Sequence, residues 1–304
     1  MRVDEQFPTE PFLSDRSRVP FRFIDLFAGI GGFHLALSSL GAKCVFASEW
    51  DEKARQTYRA NFESVSPELF AAGNFAGDIT SVNKDRIPDF EILTAGFPCQ
   101  PFSNAGKKRG FQDMRGNSFF DIAEIISLKQ PEAYFLENVR QLRFHDGGAT
   151  LGLIKRTLTE ELGYSCQEFV VKASDHGLPQ HRPRLFLIGF KNPDLAITSP
   201  PKRDLRLTMS DVMGGQVDRK IGFTLRVGGR RSGVSDRRNW DCYLVDGVEK
   251  HLTVEQAKAM QGFPSEFHFP VSDYAALGQL GNSVAVDAVR DYAAQVLQTL
   301  QNSN

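Results

Sequence analysis

Cysteine is scarce in this chain of 304 residues: Cys44, Cys99, Cys166 and Cys242 are the full set. No two stand at zinc-ligand spacing and nothing else marks a secreted scaffold, so a metal knuckle and a disulfide-built fold are both disfavoured. Long apolar runs are also missing, and none approaches the length of a bilayer span. The first twenty residues, Met1 to Pro20, are polar and lack the apolar stretch of a signal peptide. They read as a loose N-terminal tail, and the chain as cytoplasmic. Internal repeats and low-complexity segments are absent. There is almost no net charge: the formal value is −1, which by itself says nothing for nucleic acid.

What charge there is, however, is unevenly placed. Between Lys202 and Trp240 stand ten lysines or arginines and four aspartates, a local +6 that leaves −7 for the remainder. A basic segment on an acidic body suits a phosphate-facing surface. Charge alone supports a plain solvated face equally well.

The first 190 residues alternate short β-rich runs with helical patterns. Strands are predicted at Arg22–Phe27, Lys43–Ala47, Phe90–Ala95, Ala133–Leu136, Gln167–Val171 and Arg184–Ile188. Helices are predicted at His34–Leu40, Glu52–Phe62, Ser118–Leu128 and Thr150–Leu162. This alternation predicts an α/β fold with a doubly wound, mostly parallel sheet. After Phe190 proline and glycine become frequent and helical periodicity fades, so Lys191 to about Lys250 reads as a small, loop- and strand-rich unit. A short helix is expected at Val254–Met260. A last amphipathic helix, capped by Asn282 or Ser283, carries apolar residues at 285, 289, 292, 296 and 300 and needs the large domain as its partner.

Several clusters carry chemistry. Asp25-Leu26-Phe27-Ala28-Gly29-Ile30-Gly31-Gly32-Phe33 is a glycine-rich turn between strand and helix, where a ligand can approach the backbone. Its G-x-G-G spacing differs from the G-x-G-x-x-G of dinucleotide binders, which disfavours a nicotinamide oxidoreductase. Glu49, about 20 residues on, is placed to hold ribose hydroxyls; Trp50 offers a flat face for an adenine, and core packing is its bland alternative. Asp78 either accepts an adenine amino proton or caps a turn. Cys99 lies in Gly96-Phe97-Pro98-Cys99-Gln100-Pro101-Phe102-Ser103, beyond the carboxyl end of a strand and between two prolines that restrict the backbone. Glu137-Asn138-Val139 follows another strand whose end faces the same crevice, so Cys99 and Glu137 can converge on one substrate. Arg182 and Arg184, at alternate positions in Gln180-His181-Arg182-Pro183-Arg184, are expected to point the same way.

In order the chain shows DLFAGIGGF, SEWD, GDIT, GFPCQPFS, RGNSFFD, ENV, QHRPR, LTVEQAKAMQGFP and LGNSV. From Phe21 to Leu300, with one unmatched gap, it resembles the DNA (cytosine-5) methyltransferases of bacterial restriction-modification systems. The resemblance implies a Rossmann-like domain that binds S-adenosyl-L-methionine and releases S-adenosyl-L-homocysteine, over residues 21–190 and 275–304. Residues 191–274 become the target recognition domain and hinge. By the same resemblance Cys99 is the nucleophile, Glu137 acts at cytosine N3, and Asn138 holds the base or the loop. Arg184 contacts the flipped base with Arg182 in support. The cofactor lies on Phe27, Gly29, Gly31, Gly32, Glu49, Trp50, Asp78 and Ile79, with Pro98, Ser118, Asn282 and Val284 completing the pocket. The segment from Gln100 to Gly116 reads as a closing lid on glycine hinges, its Lys107, Lys108 and Arg109 gripping phosphates. Thr224 with Arg226, Arg230, Arg231, Arg237 and Arg238 is expected to read DNA. The expected partner is double-stranded DNA, with a cognate restriction endonuclease acting separately, and the chain acting as a monomer. The nearest rival is a tRNA cytosine-5 methyltransferase of the same fold. Such enzymes carry Cys-Phe-Thr in the target region, whereas this chain has Cys242-Tyr243-Leu244. A catalytically dead DNA-binding regulator would be expected to lose Cys99 or Glu137, and both are present.

Overall fold

The computed structural model describes residues 21–98, 118–228 and 231–303. Cys99, the expected lid with Lys107, Lys108 and Arg109, and Arg230 lie outside the described residues.

Seven strands form one sheet: β1 (Arg22–Leu26), β2 (Lys43–Ser48), β3 (Phe75–Ala76), β4 (Ile92–Gly96), β5 (Ala133–Val139), β6 (Gln167–Lys172) and β7 (Pro183–Phe190). Their order is β3-β2-β1-β4-β5-β7-β6. The first five are parallel, and β7 runs antiparallel between β5 and β6. The order reverses between β1 and β4, so the crevice beyond their carboxyl ends is the switch point at which ligands bind in such sheets. Both faces of the sheet are apolar, as parallel strands require. Ile24, Leu93 and Leu136 pack on one side with Phe119, Ile122 and Ile126 of α4 (Ser118–Lys129). Phe23, Ile92 and Phe135 join a second cluster on the other side with α1 (Gly32–Ser38) and α9 (Val286–Ser303).

Helix α2 (Glu52–Phe62) begins where the sequence places it, because the Asp51 side chain accepts from the Ala54 amide. Two short helices, α3 (Pro67–Ala71) and α5 (Ala149–Arg156), complete the set around the sheet. The expected helix Thr150–Leu162 is divided: α5 passes into a π-type turn at Thr157–Glu161. Strand β5 runs three residues further than expected, so Glu137 and Asn138 lie within it and not after it.

The chain beyond Phe190 has little regular structure. It contains α6 (Met209–Met213), a hairpin of β8 (Cys242–Val245) and β9 (Val248–His251), and then α7 (Val254–Gln261) and α8 (Asp273–Asn282). Its apolar residues Met209, Leu225, Trp240 and Tyr243 join the same cluster as α1 and α9. Helix α8 is unanticipated by the sequence reading, because glycines at 278 and 281 break its apolar periodicity. Ser272 caps it, accepting from the Ala275 amide. Asn282 and Ser283 therefore close α8 and do not cap α9, which starts at Val286 with Val286, Val289, Tyr292, Val296 and Leu300 buried. No helix among the described residues is long and apolar enough to cross a membrane.

Candidate active site

Strands β4 and β5 pair in parallel with Gly96 opposite Glu137. A carboxylate is thus brought beside the chain three residues before Cys99. The buried Glu137 side chain receives the Arg184 guanidinium at 2.9 Å (Nε to Oε1) across the antiparallel pairing of β5 with β7. Two influences oppose at this carboxyl. Burial favours the neutral acid, while Arg184 and Arg182 favour the carboxylate; burial is the larger, and the pKa is held above the ordinary carboxylate range. Asn138, the next residue, turns the other way. Its amide nitrogen donates to the Phe97 carbonyl at 2.8 Å, and its oxygen accepts from the Val139 amide. Asn138 therefore tethers the backbone that leads into Pro98.

The two arginines of the QHRPR segment do not share a direction. Alternation holds only within a strand, and Arg182 precedes β7 with φ +24. Arg184 meets Glu137, whereas Arg182 is 1% exposed and donates to the carbonyls of Leu225, Gly281 and Ser283. Its described hydrogen bonds all go to backbone, while its charge is still felt at Glu137.

The second half of the crevice is built on the ends of β1 and β2. Phe27 and Gly29 both take positive φ, 54 and 56. A Cβ at Gly29 would meet nothing within 4 Å, so this glycine faces an open cradle. Gly31 and Gly32 are also required by their protein neighbours. A Cβ at Gly31 would overlap the Phe62 ring, and one at Gly32 would lie 2.5 Å from Val284 Cγ2. These two glycines admit protein neighbours, Phe62 at Gly31 and Val284 at Gly32. Glu49 explains its spacing from the turn: one carboxylate oxygen accepts from the Gly29 amide and the other from the Asp51 amide, each at 2.8 Å. Both oxygens are held in place, each with lone-pair capacity remaining. Burial pushes the Glu49 pKa up, against the pull of those amides. Trp50 is 79% exposed, which removes the core reading for it. Asp78 caps the turn Ile79–Ser81 by accepting from the Thr80 amide, leaving its carboxylate exposed above buried Ile79. Ser118 opens α4, and Pro98 is exposed at the crevice end of β4.

Between this sheet edge and the chain beyond Phe190 lies a cleft of about 640 Å3. Val139, His181 and Arg184 line one wall; Arg219, Thr224 and Arg226 line the other. Its lining residues include arginines and no carboxylate. Arg219 was not singled out in the sequence; it lies over the Phe223 ring at 4.1 Å. Arg226 donates to the carbonyls of Arg238 and Asn239. Arg231 takes φ +60 and its amide donates to Asp241, while Arg238 pairs with Asp236 at 2.8 Å. Arg237 is exposed.

A family model described as C-5 cytosine-specific DNA methylase matches residues 21–214 and 216–298. The chain belongs to that family. Among curated relatives, the Type II methyltransferase M.HpaII of Haemophilus parainfluenzae is 38% identical, with 96% of this chain and 94% of the relative covered. The Type II methyltransferase M.HhaI of Haemophilus parahaemolyticus is 37% identical over 95% and 98%. Solved structures show the same fold. A variant of Spodoptera frugiperda DNMT2 superposes with TM-score 0.67 at 18% identity, covering 91% of this chain and 99% of that one. A DNA modification methyltransferase encoded within an E. coli prophage gives 0.68 at 20%, covering 92% and 99%. In this C-5 cytosine-specific DNA methylase, then, the basic cleft separates the glutamate-bearing sheet edge from a segment held in place largely by side-chain bonds.

Proposed function

We propose that the chain methylates C5 of a cytosine flipped out of a short double-stranded DNA site, through a bond from Cys99 to C6. The observation that carries this is the Glu137–Arg184 pair set beside Gly96, at the entrance to the Pro98-Cys99 segment. Cytosine C5 is a poor nucleophile while the ring is aromatic. Addition of the Cys99 thiolate to C6 forms the S–C6 bond and leaves C5 enamine-like. Glu137, favoured as the acid by burial, gives its proton to N3 and offsets the charge that enters the ring. Arg184 orients that carboxyl and faces the base. C5 then takes the methyl group and releases its proton to a base, the S–C6 bond breaks to return the thiolate, and N3 gives its proton back to Glu137 as aromaticity is restored. The base must leave the duplex stack for this attack, at a cost of a few kcal/mol.

The residues around the glycine turn fit S-adenosylmethionine. Gly29 offers an open cradle, Glu49 presents a fixed carboxylate to ribose hydroxyls, Trp50 an exposed ring face to adenine, and Asp78 an exposed acceptor to its amino group. When bound, the cofactor supplies a methyl group activated as a sulfonium. Phe27, Gly31, Gly32, Ile79, Pro98, Ser118, Asn282 and Val284 complete that pocket. Thr224, Arg226, Arg230, Arg231, Arg237 and Arg238 face the DNA, with residues 191–274 as the recognition unit. The DNA assignment is favoured over tRNA by relatives named as Type II methyltransferases. The reading is of a cytoplasmic monomer, and it is compatible with a restriction endonuclease acting separately on the same site.

The test is duplex DNA carrying 5-fluorocytosine at the target, found first by bisulfite sequencing, incubated with the chain and S-adenosylmethionine so that methyl transfer precedes the blocked elimination. Fluorine cannot leave C5 as a cation, so the protein–DNA bond should persist through denaturing electrophoresis and map to Cys99. A Cys99→Ala chain that still methylates cytosine overturns the mechanism.

A further inference from the structure

The LTVEQAKAMQGFP segment has no part in the chemistry above, yet its Gln261 is fully buried. So is Gln180, the first residue of QHRPR. Gln180 accepts from the Leu225 amide at 2.9 Å through Oε1 and donates through Nε2 to the Met260 carbonyl at 3.1 Å and to Gln261 Oε1. Gln261 donates onward to the carbonyls of Leu280 (3.3 Å) and Ser283 (3.0 Å). Arg182 takes the Leu225 carbonyl at 3.1 Å and shares the Ser283 carbonyl with Gln261. The amide and the carbonyl of one residue, Leu225, are therefore both gripped by side chains that stand just before β7. Leu225 sits between Thr224 and Arg226 on one wall of the cleft, and Arg184 at the start of β7 stands on the other. The spacing is tight as well as bonded: a Cβ at Gly281 would lie 2.7 Å from the Arg226 carbonyl carbon.

The geometry points to Gln180, Arg182 and Gln261 as positioning residues that fix the DNA-reading segment Thr224–Arg226 at a set distance from Glu137 and Arg184. They act on the backbone, so they set the width of the cleft whatever bases the segment reads. Glutamine suits the task because a single side chain both accepts and donates, and arginine because its planar fork reaches carbonyls on two segments at once. Leu225 has few regular partners of its own. Residues 223–226 form no helix or strand, so without Gln180 and Arg182 the amide and carbonyl of Leu225 would lack these partners where they are buried.

The inference rests on the reading of Thr224–Arg226 as DNA-facing, and the experiment separates the two. Gln180→Met and Gln261→Met remove the bonds at nearly constant volume, and Gly281→Ala presses on the Arg226 backbone while every side chain of the network stays in place. Steady-state methylation is measured on the target duplex and on one with a single changed base pair. In each variant KM for DNA should rise and discrimination fall by about five- to tenfold, the size of one or two buried polar groups left unpaired, while kcat at saturating DNA changes less than twofold. A variant with unchanged near-ultraviolet circular dichroism whose KM and discrimination equal wild type overturns the proposal, as does a loss confined to kcat. Amide hydrogen exchange on the wild-type chain gives a readout independent of variant folding. The Leu225 amide should be protected like those of β7, and exchange as fast as exposed Gly228 overturns the network. A wild-type chain that shows this protection but does not methylate DNA would refute the DNA reading while supporting the network.

Discussion

The sheet edge and the chain beyond Phe190 hold their functional residues in different ways. At the sheet edge, backbone ladders fix Gly96 against Glu137, and Val139 against Arg184, and the side chains are left over for chemistry. Across the cleft, side chains hold the backbone. Gln180 and Arg182 grip Leu225, Trp240 donates to the Gly228 carbonyl at 2.7 Å, Tyr243 accepts from the Phe223 amide at 2.9 Å, and Asn239 bridges to Cys242. The contrast teaches where each kind of substitution should be felt. At the edge a lost side chain costs rate with the scaffold intact; across the cleft it costs shape.

The largest expected effect tests the first half of that contrast. Glu137→Ala should lower kcat by roughly 100- to 10,000-fold, the usual range for a lost acid–base group, with little change in DNA affinity. The pH behaviour follows from the raised pKa. Because the acid form is the working one, kcat/KM should fall as pH climbs through that raised value. Stability should also fall across the window that opens above the ordinary value of 4.5, since there the folded chain binds more protons than the unfolded one. Glu137→Gln, with no proton to lose, should flatten that stability loss; a variant with the wild-type pH slope would show that Glu137 is not the group that titrates.

Trp240→Ala tests the second half. The side chain is fully buried, and its removal should destabilise the chain by about 3–5 kcal/mol in denaturant melts. Discrimination between DNA sites should suffer with it, whereas affinity for S-adenosylmethionine in the folded fraction should stay close to wild type. Equal damage to cofactor binding would mean that the two regions are less separable than their bonding suggests.

Gly32→Ala falls between the two regions. The added methyl must displace Val284, at about 1–3 kcal/mol for overpacking, and calorimetry should show weaker cofactor binding. The smallest effect on stability is expected at Trp50. As an exposed residue, Trp50→Ala should alter folding stability by no more than about 0.5 kcal/mol. If its ring meets adenine, the cofactor dissociation constant should nevertheless rise about two- to tenfold, the worth of one aromatic contact. Unchanged cofactor affinity would remove Trp50 from the pocket.

The strand–helix alternation of the first 190 residues was legible because apolar period and glycine punctuation are local properties, and α2 appears over the span that its pattern predicts. The pairing of a glycine turn with an acid about 20 residues on was legible too, and the Gly29–Glu49 bond gives it a physical meaning. The rule that parallel strands share one carboxyl edge put Glu137 beside the end of β4, and the register of Gly96 with Glu137 is where that rule takes effect, while Cys99 lies outside the described residues. What only the tertiary structure decided concerns bonds to backbone. Arg182 and Arg184 look alike in sequence, yet one meets a carboxylate and the other meets carbonyls 43 to 101 residues away. The bond from Asn138 to the Phe97 carbonyl left no trace in the sequence. Gln180 and Gln261 gave no sign of their partnership, and α8 was hidden by its glycines. The reason is common to all of them. A carbonyl or an amide is the same on almost every residue, so a side chain that seeks one leaves no mark at the other end, whereas a partner chosen by its side chain, such as Glu137 for Arg184, at least shows as an opposite charge at both ends.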